Sequence, residues 1–374
     1  MWTYANPVEV VFGDGTLDQV GHRVGGRPYC LVTYGEPTFS RLGERISALA
    51  GPPAVTIDTI TPNPDFAVLE ESCARFAEAA DIPQVIVALG GGSVIDAAKV
   101  LAAAAGDFAR VRRFLETGEG GDRLAAIPLV AIPTTAGTGS EVTCWATVWD
   151  TDADKKYSLA RPGLYPRCAL IDPELMVSAP RDLTVSTGLD ALSHSLESLW
   201  NRNANPVSAN HAVFAAREIL AHLPALAGDL ENLRLRNAMS MAALCAGLAF
   251  SNTKTALAHS LSYPITLHHG VPHGLACSFS LPLVMSGVIG LDAACDAALR
   301  RIFGPDLSAG VERLAQFLSR LGVSTDPRDY GIDDDEMEEL LAAAFAGERG
   351  RNFIGTRERI SLARRAAAGD TPAA

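Results

Sequence analysis

Gln84-Val85-Ile86-Val87-Ala88-Leu89 is an apolar run that ends on Gly90-Gly91-Gly92 and opens into Ser93-Val94-Ile95-Asp96-Ala97-Ala98-Lys99. A short continuous apolar run closed by a glycine turn suits a strand buried on both faces, and the alanine-rich stretch behind it suits a helix. The unit recurs. Val8-Glu9-Val10-Val11-Phe12 ends at Gly13-Asp14-Gly15. Tyr29 to Thr33 is followed by a loop at Tyr34-Gly35-Glu36-Pro37 and a helix through Leu42 to Ala48. Ala54 to Ile57 leads through Thr61-Pro62-Asn63-Pro64 to a helix from about Phe66 to Ala80, and Leu129 to Pro133 is another buried strand. Strand, turn and helix in repetition predict a parallel sheet with helices on both faces.

After about residue 181 strand-like runs become rare. Ala- and Leu-rich helical segments take over, at Ala209 to Leu223, Leu233 to Phe250 and Gly310 to Leu321. A chain of 374 residues exceeds what one core usually serves. The change of periodicity therefore divides it into an α/β domain over 1–180 and an all-α domain over 181–374. The tail from Ala366 to Ala374 is expected to fray.

The net charge of −12, with no basic run to track phosphates, argues against nucleic acid as a partner. It leaves room for a small anionic substrate, which needs only a few local cations. Seven dispersed cysteines without a CxxC pair read as reduced thiols of a cytoplasmic protein. The start, Met1 to Pro7, lacks the pattern of a signal peptide, and no apolar run has the length of a membrane span.

Gly90-Gly91-Gly92-Ser93 lets the backbone come close to a pyrophosphate, which the N–H groups and dipole of the following helix would favour. A tight connection without a ligand needs the same glycines. The spacing is not GxGxxG, so a standard Rossmann fingerprint is not present. A second donor-rich turn, Pro133-Thr134-Thr135-Ala136-Gly137-Thr138-Gly139-Ser140-Glu141, also follows a buried strand. Alone it would serve as a capping turn. Two such turns at neighbouring strand ends favour a dinucleotide lying across the carboxyl edge of the sheet.

In the second half, Asp190 and His194 stand four residues apart, on one face of a helix, with His259 and His273 further along. Three imidazoles and a carboxylate suit a divalent first-row ion such as Fe(II) or Zn(II). Each of these residues taken singly is more often a solvated or satisfied side chain. His268 and His269 are adjacent, face different directions in any regular element, and are taken as loop residues.

These residues together resemble the iron-containing (group III) alcohol dehydrogenases, from Asn6-Pro7 and Phe12-Gly13 through the GGGS and TTAGTGSE turns and Ile171-Asp172-Pro173-Glu174-Leu175 to the Asp–His–His–His set. The resemblance implies a dehydroquinate-synthase-like architecture, with NAD(P) in a cleft between the α/β and helical domains. It implies a divalent metal at Asp190, His194, His259 and His273. It places Gly91, Gly92 and Ser93 at the pyrophosphate and Thr134, Thr135 and Thr138 along the cofactor, with Gly35, Asp96 and Ser140 in the same set and Lys156 as a cofactor-contacting lysine. Related enzymes are often dimers or larger.

Two departures stand out. Where many members carry a further histidine four residues after the third ligand, this chain has Tyr263, which could pass a proton or simply pack. Where many NAD-preferring members carry an Asp after the second strand, it has Tyr34-Gly35 followed by Glu36, so both NADH and NADPH stay open.

Asn252-Thr253-Lys254-Thr255, His259 to Pro264 and Gly270-Val271-Pro272-His273-Gly274 resemble the phosphonoacetaldehyde reductase branch more weakly. That likeness implies reduction of phosphonoacetaldehyde to 2-hydroxyethylphosphonate, with a metal-bound carbonyl receiving hydride from NAD(P)H. The cations available for a phosphonate are Lys254, Arg349 and Arg351, with Asn352 beside them; each could equally be a solvated surface group. The alternatives are a general alcohol or lactaldehyde-type dehydrogenase, a dehydroquinate-synthase-like lyase that uses NAD transiently, and a non-catalytic protein that keeps the fold.

Overall fold

A computed structural model describes residues 1–153 and 155–367, and the chain divides into two compact units. One comprises Pro7–Ser178, the other Met1–Asn6 together with Ala179–Ala374. The expected fraying tail lies outside the described residues except for Ala366 and Ala367, which close the helix Arg357–Ala367.

The first unit is built on six parallel strands in the order β1-β8-β5-β4-β2-β3. These are β1 (Glu9–Phe12), β2 (Tyr29–Val32), β3 (Val55–Ile57), β4 (Val85–Gly90), β5 (Leu129–Pro133) and β8 (Cys168–Ile171). The expected parallel sheet is therefore present. Alternation along β4 shows why its sequence is apolar throughout. Ile86 and Ala88 join a core with Leu69 and Phe76 of the helix Phe66–Ala77 and with the helix Gly92–Ala104. Val85, Val87 and Leu89 join another with Leu17, Val20, Val24 and Ile46. Both faces are covered, so no position is left for a polar residue.

A two-stranded antiparallel sheet, β6 (Trp145–Asp150) with β7 (Lys155–Ala160), is an addition the periodicity did not predict. Lys99 fastens it. Its ammonium is fully buried in the helix Gly92–Ala104 and donates to Ser140 Oγ (2.8 Å), Thr143 Oγ1 (3.2 Å) and the Trp145 carbonyl (2.6 Å). Asp96, one turn earlier, accepts from Ser140 Oγ and from the Thr147 N–H at 2.7 Å. Burial pulls the Lys99 ammonium down to about 8, with the Asp96 carboxylate opposing it.

In the second unit long helices pack on one another: Arg181–Leu199, Pro206–Leu226 and Leu233–Thr253, then Leu257–His269, the short His273–Ser278, and others to the carboxyl end. The first residues of the chain pack here too, with Tyr4 Oη donating to the Leu248 carbonyl and the Ala5 N–H to Asn252 Oδ1 at 2.9 Å. Arg181–Leu199 is buried on every side over its second half, which suits a central helix. Among the described residues no helix is long and apolar enough to cross a membrane, and all seven cysteines are free.

Lys99→Met leaves the Asp96 carboxylate and three further acceptors without their buried partner. Denaturant unfolding of the variant should show a loss of about 3–5 kcal/mol, the cost of breaking one side of a buried pair. A loss below about 1 kcal/mol would show that the hairpin does not depend on it.

Candidate active site

Asp190 and His194 lie one turn apart on Arg181–Leu199, and both are almost wholly buried. His259 lies near the start of Leu257–His269, and His273 is the first residue of its short helix. A close backbone approach brings that short helix in. A Cβ at Gly274 would overlap the Ser186 carbonyl oxygen, so only glycine lets His273–Ser278 lie against Arg181–Leu199.

From Asp190 Oδ1 the Nε2 atoms of His259, His194 and His273 are 3.2, 3.7 and 4.0 Å away. Ligands of one tetrahedral ion, each roughly 2.1 Å from it, stand roughly 3.4 Å from one another. The His259 and His194 separations are close to that figure, and the His273 one is wider. His194 is further fixed between rings, 4.0 Å from Phe250 and 4.5 Å from His259 by centroid.

Glu197 was not singled out by the sequence. It is fully buried on the same helix face, and its Oε2 lies 2.7 Å from His259 Nδ1. The same carboxylate accepts from the N–H groups of Ala256 (2.9 Å), Ala258 (2.5 Å) and His259 (3.3 Å). It thus caps the helix Leu257–His269, whose own N-cap residue, Ala256, offers no side chain for the purpose. With Nδ1–H donating to Glu197, the Nε2 lone pair of His259 faces Asp190 Oδ1. Two acceptors at that distance call for a proton or a cation between them. Burial alone would raise the Asp190 carboxyl, but the imidazoles of His194, His259 and His273 outweigh it and hold the group below the usual carboxylate range.

Cys277 is the second residue missed. Its thiol lies 3.6 Å from His273 Nε2, and its sulfur falls with donor atoms of Asp190, His259 and His273 inside a 4.8 Å cluster. The signal for both was helical spacing: Glu197 is three residues after His194, and Cys277 four after His273.

The cage is closed on three sides and open on one. The side chains of Asp190 and His194 are 6% exposed and that of His259 2%, whereas that of His273 is 38% exposed. The Tyr263 ring stacks on His273 (centroids 5.7 Å, planes 7° apart), and the Arg349 guanidinium lies over the other ring in turn, 4.7 Å from the Tyr263 centroid.

The remaining candidates lie as follows. Lys254 ends the helix Leu233–Thr253 with φ +63° and pairs with Glu348 at 2.9 Å. Arg351 donates to the Ala346 carbonyl, and Asn352 to the Thr255 carbonyl at 2.9 Å. His268 and His269 are not loop residues but the last turn of Leu257–His269, because the helical pattern runs on to Gly270, which ends it in the left-handed region. His269 pairs with Glu336 at 2.7 Å, away from the cage.

In the α/β unit the two donor-rich turns are neighbours. Gly90 and Pro133 are register partners at the ends of β4 and β5, and the Thr134 N–H donates to the Gly90 carbonyl. Gly91 is the N-cap of Gly92–Ala104, so no side chain caps that helix. A Cβ at Gly91 would lie 3.3 Å from Thr135 Oγ1, and one at Gly92 2.6 Å from Thr138 Cγ2. Tyr34 bonds Ser93, whose Oγ also accepts from the Asn63 N–H at 3.2 Å. A Cβ at Gly35 would come within 3.0 Å of the Asp58 carbonyl oxygen. Asp96 and Ser140 bond each other beneath this edge, and Lys156 lies over the Trp149 ring at 5.2 Å on the β6–β7 sheet. The glycines, Ser93 and the threonines could hold a pyrophosphate.

A parallel α/β unit with a paired glycine/threonine edge, and a helical unit with a carboxylate–imidazole cage, define a nucleotide-dependent metalloenzyme class. Comparison with known proteins gives the family. The model of the iron-containing alcohol dehydrogenases matches residues 7–173, and that of the C-terminal domain of the same family matches residues 184–360. This chain belongs to the iron-containing alcohol dehydrogenase family and is an aldehyde/alcohol oxidoreductase. It is 29% identical to the NAD-dependent methanol dehydrogenase of Bacillus methanolicus, over 92% of this chain and 93% of that protein. It is 38% identical over 202 residues to the phosphonoacetaldehyde reductase of Streptomyces viridochromogenes, covering 53% of this chain and 51% of the relative. Among solved structures it resembles the sulfoacetaldehyde reductase of Bifidobacterium kashiwanohense in complex with NAD+, with TM-score 0.90, 27% identity and 100% of both chains covered.

Glu197→Gln should weaken metal binding about 10- to 100-fold, the usual cost of losing a partner that orients a ligand. Competition with a chelator measures it; an affinity within about threefold of wild type would show that His259 is oriented without Glu197.

Proposed function

We propose that the protein is a metal-dependent NAD(P)H oxidoreductase that reduces phosphonoacetaldehyde to 2-hydroxyethylphosphonate. The observation that carries the metal-dependent part is that three imidazole nitrogens lie within 4.0 Å of one buried carboxylate oxygen, with His273 on the solvent side, because that donor set suits a divalent first-row ion that a small molecule can approach. The substrate part rests on two similarities. The phosphonoacetaldehyde reductase and the sulfoacetaldehyde reductase both act on two-carbon aldehydes that carry a tetrahedral oxyanion.

Asp190, His194, His259 and His273 would hold Fe(II) or Zn(II). Such an ion polarises a carbonyl oxygen as a Lewis acid, and NADH or NADPH supplies the hydride. Asp190 contributes the negative charge of the site, and Glu197 fixes the His259 tautomer that presents Nε2. Phe250 and the neighbouring rings exclude water from the closed sides. Gly91, Gly92 and Ser93 would bind the pyrophosphate and Thr134, Thr135 and Thr138 would line the cofactor, with Gly35 beside the second strand. Free, dispersed thiols suit a reducing compartment such as the cytoplasm.

Oxidation of NADH and of NADPH by the Fe(II)-loaded protein, with phosphonoacetaldehyde beside propanal and lactaldehyde, tests the proposal. The expected result is a kcat/KM at least about a hundredfold higher for the phosphonate, on the order of 2.7 kcal/mol of selective transition-state binding. Comparable turnover of the uncharged aldehydes would make the enzyme a general alcohol dehydrogenase. His259→Ala and His273→Ala should each lose bound metal and turnover together, followed by elemental analysis beside the assay.

A further inference from the structure

We propose that Arg349 is the side chain that binds the anionic end of the substrate, and that Tyr263 positions it. The proposal rests on the functional reading above and deepens it. The guanidinium is fixed on two sides. Its face lies 4.7 Å over the Tyr263 ring centroid, and its Nε donates to Thr255 Oγ1 at 3.0 Å. Among the described residues its two terminal nitrogens make no hydrogen bond, so the edge that suits bidentate capture of an oxyanion is the edge left over. Stacking on an aromatic face leaves the in-plane N–H groups unused, which is why the two contacts are compatible.

The other cations near this segment are engaged. Lys254 is paired with the exposed Glu348 carboxylate at 2.9 Å, the acid next to Arg349 in sequence. Arg351 donates to the Ala346 carbonyl from an exposed position. Arg349 alone of the three is joined to the cage by a stack of rings. Tyr263 contacts both Arg349 and His273, the ligand on the open side, with the Tyr263 and His273 centroids 5.7 Å apart.

The departure at Tyr263 then has a physical purpose. A phenol ring in place of the family's further histidine supplies a broad, uncharged ledge under a cation, where an imidazolium would repel it.

The test compares kcat/KM for phosphonoacetaldehyde, sulfoacetaldehyde and propanal in the metal-loaded wild type and in Arg349→Met, Lys254→Met, Arg351→Met, Tyr263→Phe and Tyr263→Ala. Thermal melting of each variant checks folding. In Arg349→Met the phosphonate-to-propanal ratio should fall about thirtyfold or more, mainly through KM, as loss of a charge-assisted bond predicts. Lys254→Met and Arg351→Met should change it less than about threefold. Tyr263→Phe, which keeps the ring, should keep the ratio, and Tyr263→Ala should lose it. Sulfoacetaldehyde separates recognition of a sulfonate from that of a phosphonate. A preserved ratio in a folded Arg349→Met overturns the assignment and leaves the functional reading intact. If wild type shows no preference for either anion, the functional reading fails. The anion site then stands only if inorganic phosphate competes with propanal in wild type and loses at least tenfold in affinity in Arg349→Met; absence of that competition overturns it too.

Discussion

The buried carboxylate of Glu197 is the contact on which the helical unit's site depends. Its two oxygens receive the N–H groups of Ala256, Ala258 and His259 and the ring nitrogen of His259, so every lone-pair direction has a partner. A carboxylate without those donors could not stay charged at full burial. One interaction therefore starts a helix, aims its imidazole and joins two segments about sixty residues apart in sequence. Burial would raise the Glu197 carboxyl, but the His259 imidazole and the backbone donors hold it below its ordinary range, so the anion persists where a lone acid would be neutral.

The strictness of that arrangement explains which parts of the protein were legible beforehand. The parallel sheet was, because strands covered on both faces must be apolar throughout, and β2, β4 and β5 are. The β6–β7 pair was not. Its strand Lys155–Ala160 buries only Leu159, and what anchors the pair is Lys99, which lies in a helix far away in sequence and reaches the Trp145 carbonyl. Asp190 and His194 were legible from their four-residue spacing, and His259 and His273 only through the family's pattern. Glu197 continues the same helical stripe, but that spacing does not say what the carboxylate does until the donors it faces are known. Those donors are backbone groups of another segment, and no side-chain pattern encodes them.

The boundary between units shows the same limit. A change from strand to helical periodicity marks the region near Ala179, yet the first six residues pack with the helices. Tyr4 and Ala5 are held by Leu248 and Asn252, contacts nearly 250 residues away in sequence that local composition cannot announce.

Exposure, finally, distinguishes what this cage can do from what a closed one could. An ion whose ligands were all buried would be out of reach of a substrate. Here three are sealed by Phe250, by one another and by Glu197, so their geometry is set before any substrate arrives. The fourth, His273, starts a short helix that could approach only because Gly274 has no side chain, and its outer face carries Tyr263 and Arg349 rather than core. Rigidity on the closed sides holds the charge in place, while the aromatic and cationic groups on the open side are what an incoming molecule meets first. On the proposed reading, selectivity among aldehydes would be a property of the Leu257–His269 and Glu348–Asn352 helices, apart from the Glu197 carboxylate that orients the cage.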